Sequence, residues 1–127
     1  MGHIYKSRGC ARVFLGVPHA GETIPRLDNN QRINGYVTPI NTLGVMMLPD
    51  QKTAENAIRK TSKKIIAIKP LAGGRIKPHR AYQYIFSYKP EACMFGAATE
   101  EEVEISHLEI LKALSYPQKH KKRINRS

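Results

Sequence analysis

The segment Lys64–Arg75, with the sequence KIIAIKPLAGGR, sets a short apolar run directly before a glycine turn. Five residues rich in isoleucine and followed by proline and glycine are typical of a buried β-strand. An amphipathic pattern begins after Pro78, and a second apolar run at 92–96 leads into another loop of small residues. The sequence therefore predicts two consecutive strand–loop–helix units.

The same order extends outward to the rest of the chain. The predicted strands are 13–17, 33–40, 64–68 and 92–95, and the predicted helices are 23–27, 50–60, 79–88 and 99–114. Pro25 is expected in the first turn of its helix, Asp50 as an N-cap, and Thr99 with Glu102 as a capping box. The apolar face predicted for the last helix consists of Val103, Ile105, Leu108, Ile110, Leu111 and Leu114. Strands that alternate with helices predict a parallel sheet with right-handed crossovers.

The chain has 127 residues, enough for one domain, whereas a closed eight-stranded α/β barrel has about 250. We therefore predict an α/β fold in which four βα units form a parallel-stranded half TIM barrel at residues 12–116. A polar segment precedes it at 1–11, and a basic tail follows at 117–127. Four units leave two open sheet edges. We expect either a homo-oligomer that closes a barrel by dimerisation, or a missing N-terminal half that belongs to a longer gene product.

Charge is unevenly distributed along the chain, whose formal net charge is +11. Residues 52–99 carry +8, from ten basic and two acidic side chains, while residues 100–114 carry −4, from one basic and five acidic. Such a field favours a phosphate-bearing small molecule, an acidic partner or nucleic acid, and a solvated basic surface explains it equally well. The tail cluster 119–123 could contact nucleic-acid phosphates, although it lacks interleaved aromatic residues for stacking on bases, and a solvated terminal tail is the favoured alternative.

Cysteine spacing and hydropathy exclude several classes of protein. Cys10 and Cys93 form no CxxC pair, so neither a metal site nor a disulfide framework is expected. Charged and aromatic residues interrupt the first eight positions, which argues against a signal peptide. No stretch approaches the roughly 20 apolar residues that cross a bilayer. We expect a cytoplasmic protein without a membrane partner.

Candidate functional residues lie where the predicted strands end, because barrels place their sites at that edge. Backbone N–H groups in glycine loops at helix N-termini can bind phosphate, although each loop is equally well explained as a tight turn. Asn41 is predicted either to orient a ligand or to satisfy backbone groups at the strand end. The predicted ligand-binding residues are Asn41, Gly73, Gly74, Arg75, Gly96, Ala97 and Thr99.

Lys69 and His19 are the candidate catalytic residues at the same edge. A desolvated lysine after an apolar strand can act as a nucleophile, as in Schiff-base enzymes, and a solvated ammonium is the favoured alternative. His19 and Glu22 have an HxxE spacing, but metal binding is not predicted because no second histidine stands at a helical offset.

Four segments together resemble the C-terminal half of the aldo-keto reductase family. Phe14–Val17 is similar to that family's fifth strand and Gly35–Asn41 to its sixth. Ile66–Gly74 is similar to the seventh strand and its loop, and Phe95–Val103 to the eighth strand and the following helix. The resemblance implies a (β/α)8-type half-barrel whose last two units hold the phosphates of a nicotinamide cofactor, NADP or NAD.

The chain departs from this family at four points, one of which is that Ile105-Ser106 stands where the family has a Glu-Asn pair in its last helix. The family's catalytic residues come from its first four strands, which have no counterpart here. Ile68 stands where an aromatic residue stacks on nicotinamide, and Glu102 stands where a basic residue grips the extra phosphate of NADP. The resemblance therefore implies a phosphate- or nucleotide-binding end rather than an active reductase.

Two other functions remain open from the sequence. The first is a dimeric TIM-barrel enzyme of the lyase or aldolase type, acting on a phosphorylated or carboxylated small molecule. The second is a basic nucleic-acid-associated protein that uses its tail and the basic cluster at 59–80.

Overall fold

The computed structural model describes Gly9 and residues 11–115. Its elements, in chain order, are β1 Phe14–Gly16, α1 Ala20–Leu27, β2 Gly35–Pro39, α2 Gln51–Lys60, β3 Lys64–Ile68, α3 Pro78–Phe86, β4 Ala92–Met94 and α4 Glu100–Ser115. The predicted alternation of four strands and four helices is confirmed. The predicted tail 117–127 and most of the segment 1–11 lie outside the described residues.

The sheet has the order β1-β2-β3-β4, and every neighbouring pair is parallel. Tyr36 of β2 lies opposite Leu15 of β1 and Ile65 of β3, and Thr38 lies opposite Ala67. A parallel pair needs a crossover connection, which the intervening helix supplies in each unit. The described chain is therefore an α/β half-barrel, as predicted.

One face of the sheet is buried under the helices. Tyr36, Ile65 and Ala67 are completely buried and belong to one cluster with Ile24 of α1 and Ile58 of α2. Alternate strand residues point to opposite faces, so their sequence neighbours form the other face. That inner face is only partly covered and includes Val37, Ile66, Ile68 and Met94, of which Met94 is 60% exposed. The helices therefore cover only the outer face, and the inner face stays open.

Two helix starts follow the sequence signals closely. Asp50 accepts hydrogen bonds from the backbone N–H and the hydroxyl of Thr53, both at 2.8 Å, and so caps α2. Pro78 is the first residue of α3, where the missing N–H of proline has no intrahelical partner to lose. These local contacts fix both boundaries without tertiary packing.

The start of α1 differs from the prediction. The helix begins at Ala20 rather than at residue 23, so Pro25 lies inside it and the predicted first-turn position is wrong. Packing accounts for the earlier start, because a Cβ on Gly21 would come within 2.7 Å of the Thr53 methyl group in α2. Close approach of the two helices buries Ala20 and Ile24, and Pro25 faces solvent two residues before the end.

The buried side of α4 is also not the predicted one. Ser106 and Ala113 are buried, at 2% and 1% exposure, whereas five of the six residues predicted to be buried are 42–60% exposed. The small side chains let α4 approach α3, where the Tyr82 hydroxyl donates to Ser106 Oγ at 2.8 Å. Ile110 alone of the predicted set packs partly against the core.

A polar cluster connects α2 with α3. The Glu55 carboxylate accepts hydrogen bonds from the Tyr84 hydroxyl and from Gln51 Nε2, the latter at 3.2 Å. The Tyr84 hydroxyl also lies 3.1 Å from that of Tyr88. Burial, followed by the hydrogen bond to Glu55, raises the pKa of Tyr84, so the hydroxyl keeps its proton as a donor. The cluster links the α1–α2 pair to the α3–α4 pair.

No helix among the described residues has both the length and the apolar character needed to span a membrane.

Gly35 is expected to tolerate no side chain, because a Cβ there would lie 2.5 Å from the Phe14 ring and also press on the Lys64 carbonyl oxygen. Gly35→Ala should therefore lower the free energy of unfolding by about 2 kcal/mol, as overpacking does. Gly16→Ala is the matched control, since a Cβ there meets nothing within 4 Å. Urea unfolding of both variants tests this, and equal stability of the two would contradict the packing of β1 on β2.

Candidate functional site

The loops that follow β3 and β4 face each other across an open cavity of about 700 Å³. The first loop and the start of α3 contribute one wall, and the second loop with the first turns of α4 contributes the other. The lining residues are Lys69, Pro70, Leu71, Ala72, Gly73, Gly74, Ile76, Pro78, Gly96, Ala97, Ala98, Glu102, Ile105 and Ser106. The cavity lies at the carboxyl edge of the sheet, where the sequence predicted a site.

The loop after β3 is a compact, hydrogen-bonded turn and not an extended connection. Lys69, Ala72, Gly73 and Gly74 have φ values of 54°, 48°, 71° and 87°, in the left-handed region that favours glycine. Hydrogen bonds from Gly74 N and Ile76 N to the Leu71 carbonyl oxygen, at 2.9 and 3.1 Å, close it. A Cβ on either glycine would meet nothing within 4 Å. The backbone at both glycines is therefore accessible to a ligand.

The loop that forms this wall is cationic, and Lys69 is the cation of the loop that lines the cavity. Lys69, Arg75 and Lys77 are exposed, and no acidic residue occurs between positions 69 and 80. Within residues 11–115, the backbone N–H groups of Gly73, Arg75 and Lys77 donate no hydrogen bond to the protein. No side chain caps α3, whose first turn adds Arg80. This wall therefore offers both positive charge and free donors to an anion.

The opposite wall is anionic, and the N-terminus of its helix α4 is capped by side chains of the protein itself. Thr99 Oγ1 accepts a hydrogen bond from Glu102 N at 3.1 Å, and the Glu102 carboxylate accepts one from Ala98 N at 2.6 Å. The predicted cap by Thr99 is thus confirmed, while the Glu102 carboxylate reaches the N–H of Ala98 instead of that of Thr99. Glu100, Glu101 and Glu102 all lie in the first turn of α4. The protein's own carboxylates therefore occupy the position where an anion would meet this helix.

The predicted ligand-binding residues separate into two groups. Gly73 and Gly74 line the cavity together with Gly96 and Ala97, so the two small-residue loops converge as predicted. Arg75 and Thr99 do not line the cavity: Arg75 lies between the lining residues Gly74 and Ile76, and Thr99 caps α4.

Asn41 lies apart from the cavity and serves the backbone. Its side chain is completely buried, and Nδ2 donates to the carbonyl oxygens of Val45 and Lys69 at 3.0 and 3.3 Å. Its Oδ1 accepts from Val45 N at 2.9 Å. This geometry corresponds to the alternative in which Asn41 satisfies backbone groups at the strand end, and it ties the loop after β2 to that after β3.

The two candidate catalytic residues do not meet within one chain. Lys69 follows β3 and lines the cavity, with its side chain exposed to solvent. His19 precedes α1, beyond β1, and its side chain caps no backbone group of the helix. Because β2 separates β1 from β3 in the sheet, the two side chains start two strands apart. No group of three potential metal ligands occurs among the described residues.

Three cavity residues on α4 were not among the predicted ligand-binding residues: Glu102, Ile105 and Ser106. The sequence places Glu102 in a capping box and, by the family resemblance, at the position that grips the extra phosphate of NADP, and Ser106 follows it by one helical turn on the same side. This i, i+4 offset is the signal that places Ser106 beside the loop. The Ser106 hydroxyl already accepts the Tyr82 proton, so it contributes a fixed polar atom to the cavity wall.

The chain matches no protein-family model, no curated protein and no solved structure.

Asn41→Ala is expected to lower the free energy of unfolding by about 2 kcal/mol, because it leaves partly buried backbone groups of Val45 and Lys69 without partners. Thermal and urea unfolding measure this effect. Thr42→Ala, a partly exposed neighbour, is the control and should stay near the wild type. An Asn41→Ala protein with unchanged stability and reduced ligand affinity would restore the ligand-binding role.

Proposed function

We propose that the chain binds the phosphate group of a small molecule at the loop Lys69–Lys77. One observation carries this proposal: the loop combines an accessible double glycine with free backbone donors and with cations that have no acidic neighbour in the loop. Backbone N–H groups in consecutive left-handed and turn conformations form a concave site suited to an anion. The dipole of α3 and the Arg75 and Lys77 side chains add to the same field.

The two walls define the orientation of the ligand. A phosphate against the loop after β3 places the remainder of the molecule toward Glu102, Ile105 and Ser106. These side chains offer a carboxylate, an apolar surface and a hydroxyl, which suit a hydroxylated or amine-bearing body. A second phosphate near the start of α4 would face three glutamates and is disfavoured.

The aldo-keto reductase relationship stays a prediction, and the cavity bears on its cofactor. Glu102 lies in the cavity wall and accepts a hydrogen bond from Ala98 N. Its carboxylate would therefore repel the extra phosphate of NADP. We therefore propose a sugar monophosphate or the pyrophosphate of NAD as better ligands than NADP. The proposed nucleic-acid role of the tail 117–127 concerns residues outside the described chain.

Lys69 supports a second candidate function, because it lies in the same cavity as the phosphate loop. Its amine would attack the carbonyl carbon of a phosphorylated aldehyde or ketone and form an imine with release of water. The phosphate loop would hold the other end of that substrate. This is the lyase or aldolase alternative, and it requires the phosphate site.

Phosphate binding is tested by titrating the protein with inorganic phosphate and with ribose 5-phosphate, using ribose as the ligand control. We expect saturable stabilisation in a thermal-shift assay with both phosphates and none with ribose, since only ligands that bind the native state stabilise it. Arg75→Ala should weaken binding about tenfold, as loss of a charge-assisted hydrogen bond does. Gly74→Glu should abolish binding, because it places a carboxylate at the loop.

The matched control is Lys60→Ala, which removes an exposed cation from the end of α2 at the opposite edge of the sheet. It should bind as the wild type does. Equal weakening by Arg75→Ala and Lys60→Ala would show a general charge effect and would overturn the proposed site. NADP should bind no more tightly than NAD.

Lys69 is tested by borohydride trapping with glyceraldehyde 3-phosphate. A covalent adduct on Lys69, found by mass spectrometry and absent from Lys69→Arg, is the expected result for the second candidate. Trapping with non-phosphorylated glyceraldehyde at the same concentration is the control. An adduct distributed equally over the exposed lysines would reject a specific role for Lys69.

A further inference from the structure

Three surfaces of the described chain have no partner, two of them apolar faces and one a strand edge, and all three lie at the boundary of the half-barrel. The first is the inner face of the sheet, where Val37, Ile66 and Ile68 are only partly buried. The second is the edge of β4, which pairs with β3 on one side only and leaves the backbone groups on its other side unpaired. Each surface is costly in water, and an unpaired strand edge invites another strand.

The third surface is a stripe on α4 formed by Val103, Leu111 and Leu114, which are 47%, 51% and 60% exposed. On the other side of this helix, Glu109 contacts His79 of α3 at 3.0 Å. At 100° per residue, Leu111 lies about 160° around the helix from Glu109. The stripe therefore points away from α3, toward the position where a further helix of the same layer would lie.

We propose that a second copy of this chain covers all three surfaces by closing an eight-stranded barrel. The edge of β4 would pair in parallel with β1 of the partner, and a two-fold axis along the barrel would repeat this contact. Each copy supplies four strands in chain order, so two copies supply the eight that close a barrel around a side-chain core. The inner faces, apolar except for Lys64 at their rim, would pack on each other.

A second copy accounts for the exposed surfaces together because it brings the complementary elements at once. Its β1 is the other unpaired edge, and its α1 presents the flank that faces away from α2. That flank contains Thr23 and the half-buried Leu27, which lie about 40° apart. The α4 stripe would pack there, as α1 packs on α2 and α3 on α4 within one chain.

Closure also completes the proposed phosphate site, and this part of the inference rests on that proposed function. The loop after β4 forms one wall of the cavity. In the closed barrel the next strand is β1 of the partner, whose following loop ends at His19. His19 of the partner subunit would therefore lie beside Gly96 and Ala97, at the wall that has no cation of its own.

Sedimentation velocity of the full chain at micromolar concentration tests closure. We expect a species of twice the 14.3 kDa chain mass. Leu111→Glu and Met94→Asp should each give folded monomers, because both side chains are exposed in the single chain. Leu43→Glu is the matched control, since Leu43 is 54% exposed in the loop after β2 and should leave the dimer intact.

A wild-type protein that sediments as a monomer at micromolar concentration overturns the proposal. A dimer that persists in both Leu111→Glu and Met94→Asp overturns it as well. Titration with inorganic phosphate separates the two proposals. A monomer that binds phosphate retains the phosphate site without closure, and a dimer that binds none retains closure alone. His19→Ala should leave the dimer intact and weaken phosphate binding about tenfold, and unchanged affinity would reject the shared site.

Discussion

Parallel pairing of consecutive strands is the constraint on which the rest of the molecule depends. Each pair requires the chain to return across the sheet before the next strand begins, and a helix makes each return. Tyr36 and Ile65 show the result, because both are completely buried beneath the helices. The same constraint sends every strand end to one edge, so loops that are distant in sequence meet there.

The cavity at this edge has opposite electrostatic character on its two sides. The loop after β3 supplies cations and unused backbone donors, whereas the loop after β4 is closed off by Thr99 and Glu102. If both walls within one chain were equivalent phosphate loops, a molecule with one anionic end would have no preferred orientation between them. The asymmetry here gives such a molecule a single favourable orientation.

Much of the fold could be predicted from local signals. The bounds of β3 were predicted correctly because an apolar run ends at a proline and two glycines, and α2 because Asp50 caps it. The start of α1 could not be predicted in this way, since it depends on how closely Gly21 approaches α2. The buried side of α4 was also missed. Periodicity identifies an apolar stripe on a helix, but it does not say whether that stripe or Ser106 faces the neighbouring helix.

The position of the site could be predicted from the sequence, but the role of each of its residues could not. Convergence of the two small-residue loops follows from strand order alone, and Gly73, Gly74, Gly96 and Ala97 line one cavity. The hydrogen bonds of Asn41 to the backbone depend on loop conformations that residue spacing does not predict.

Strand order in this sheet also determines how such a chain can be lengthened. Because α4 runs back to the edge at which every strand starts, a tandem copy of the gene segment could continue the array through the same kind of short connection that already joins each helix to the next strand.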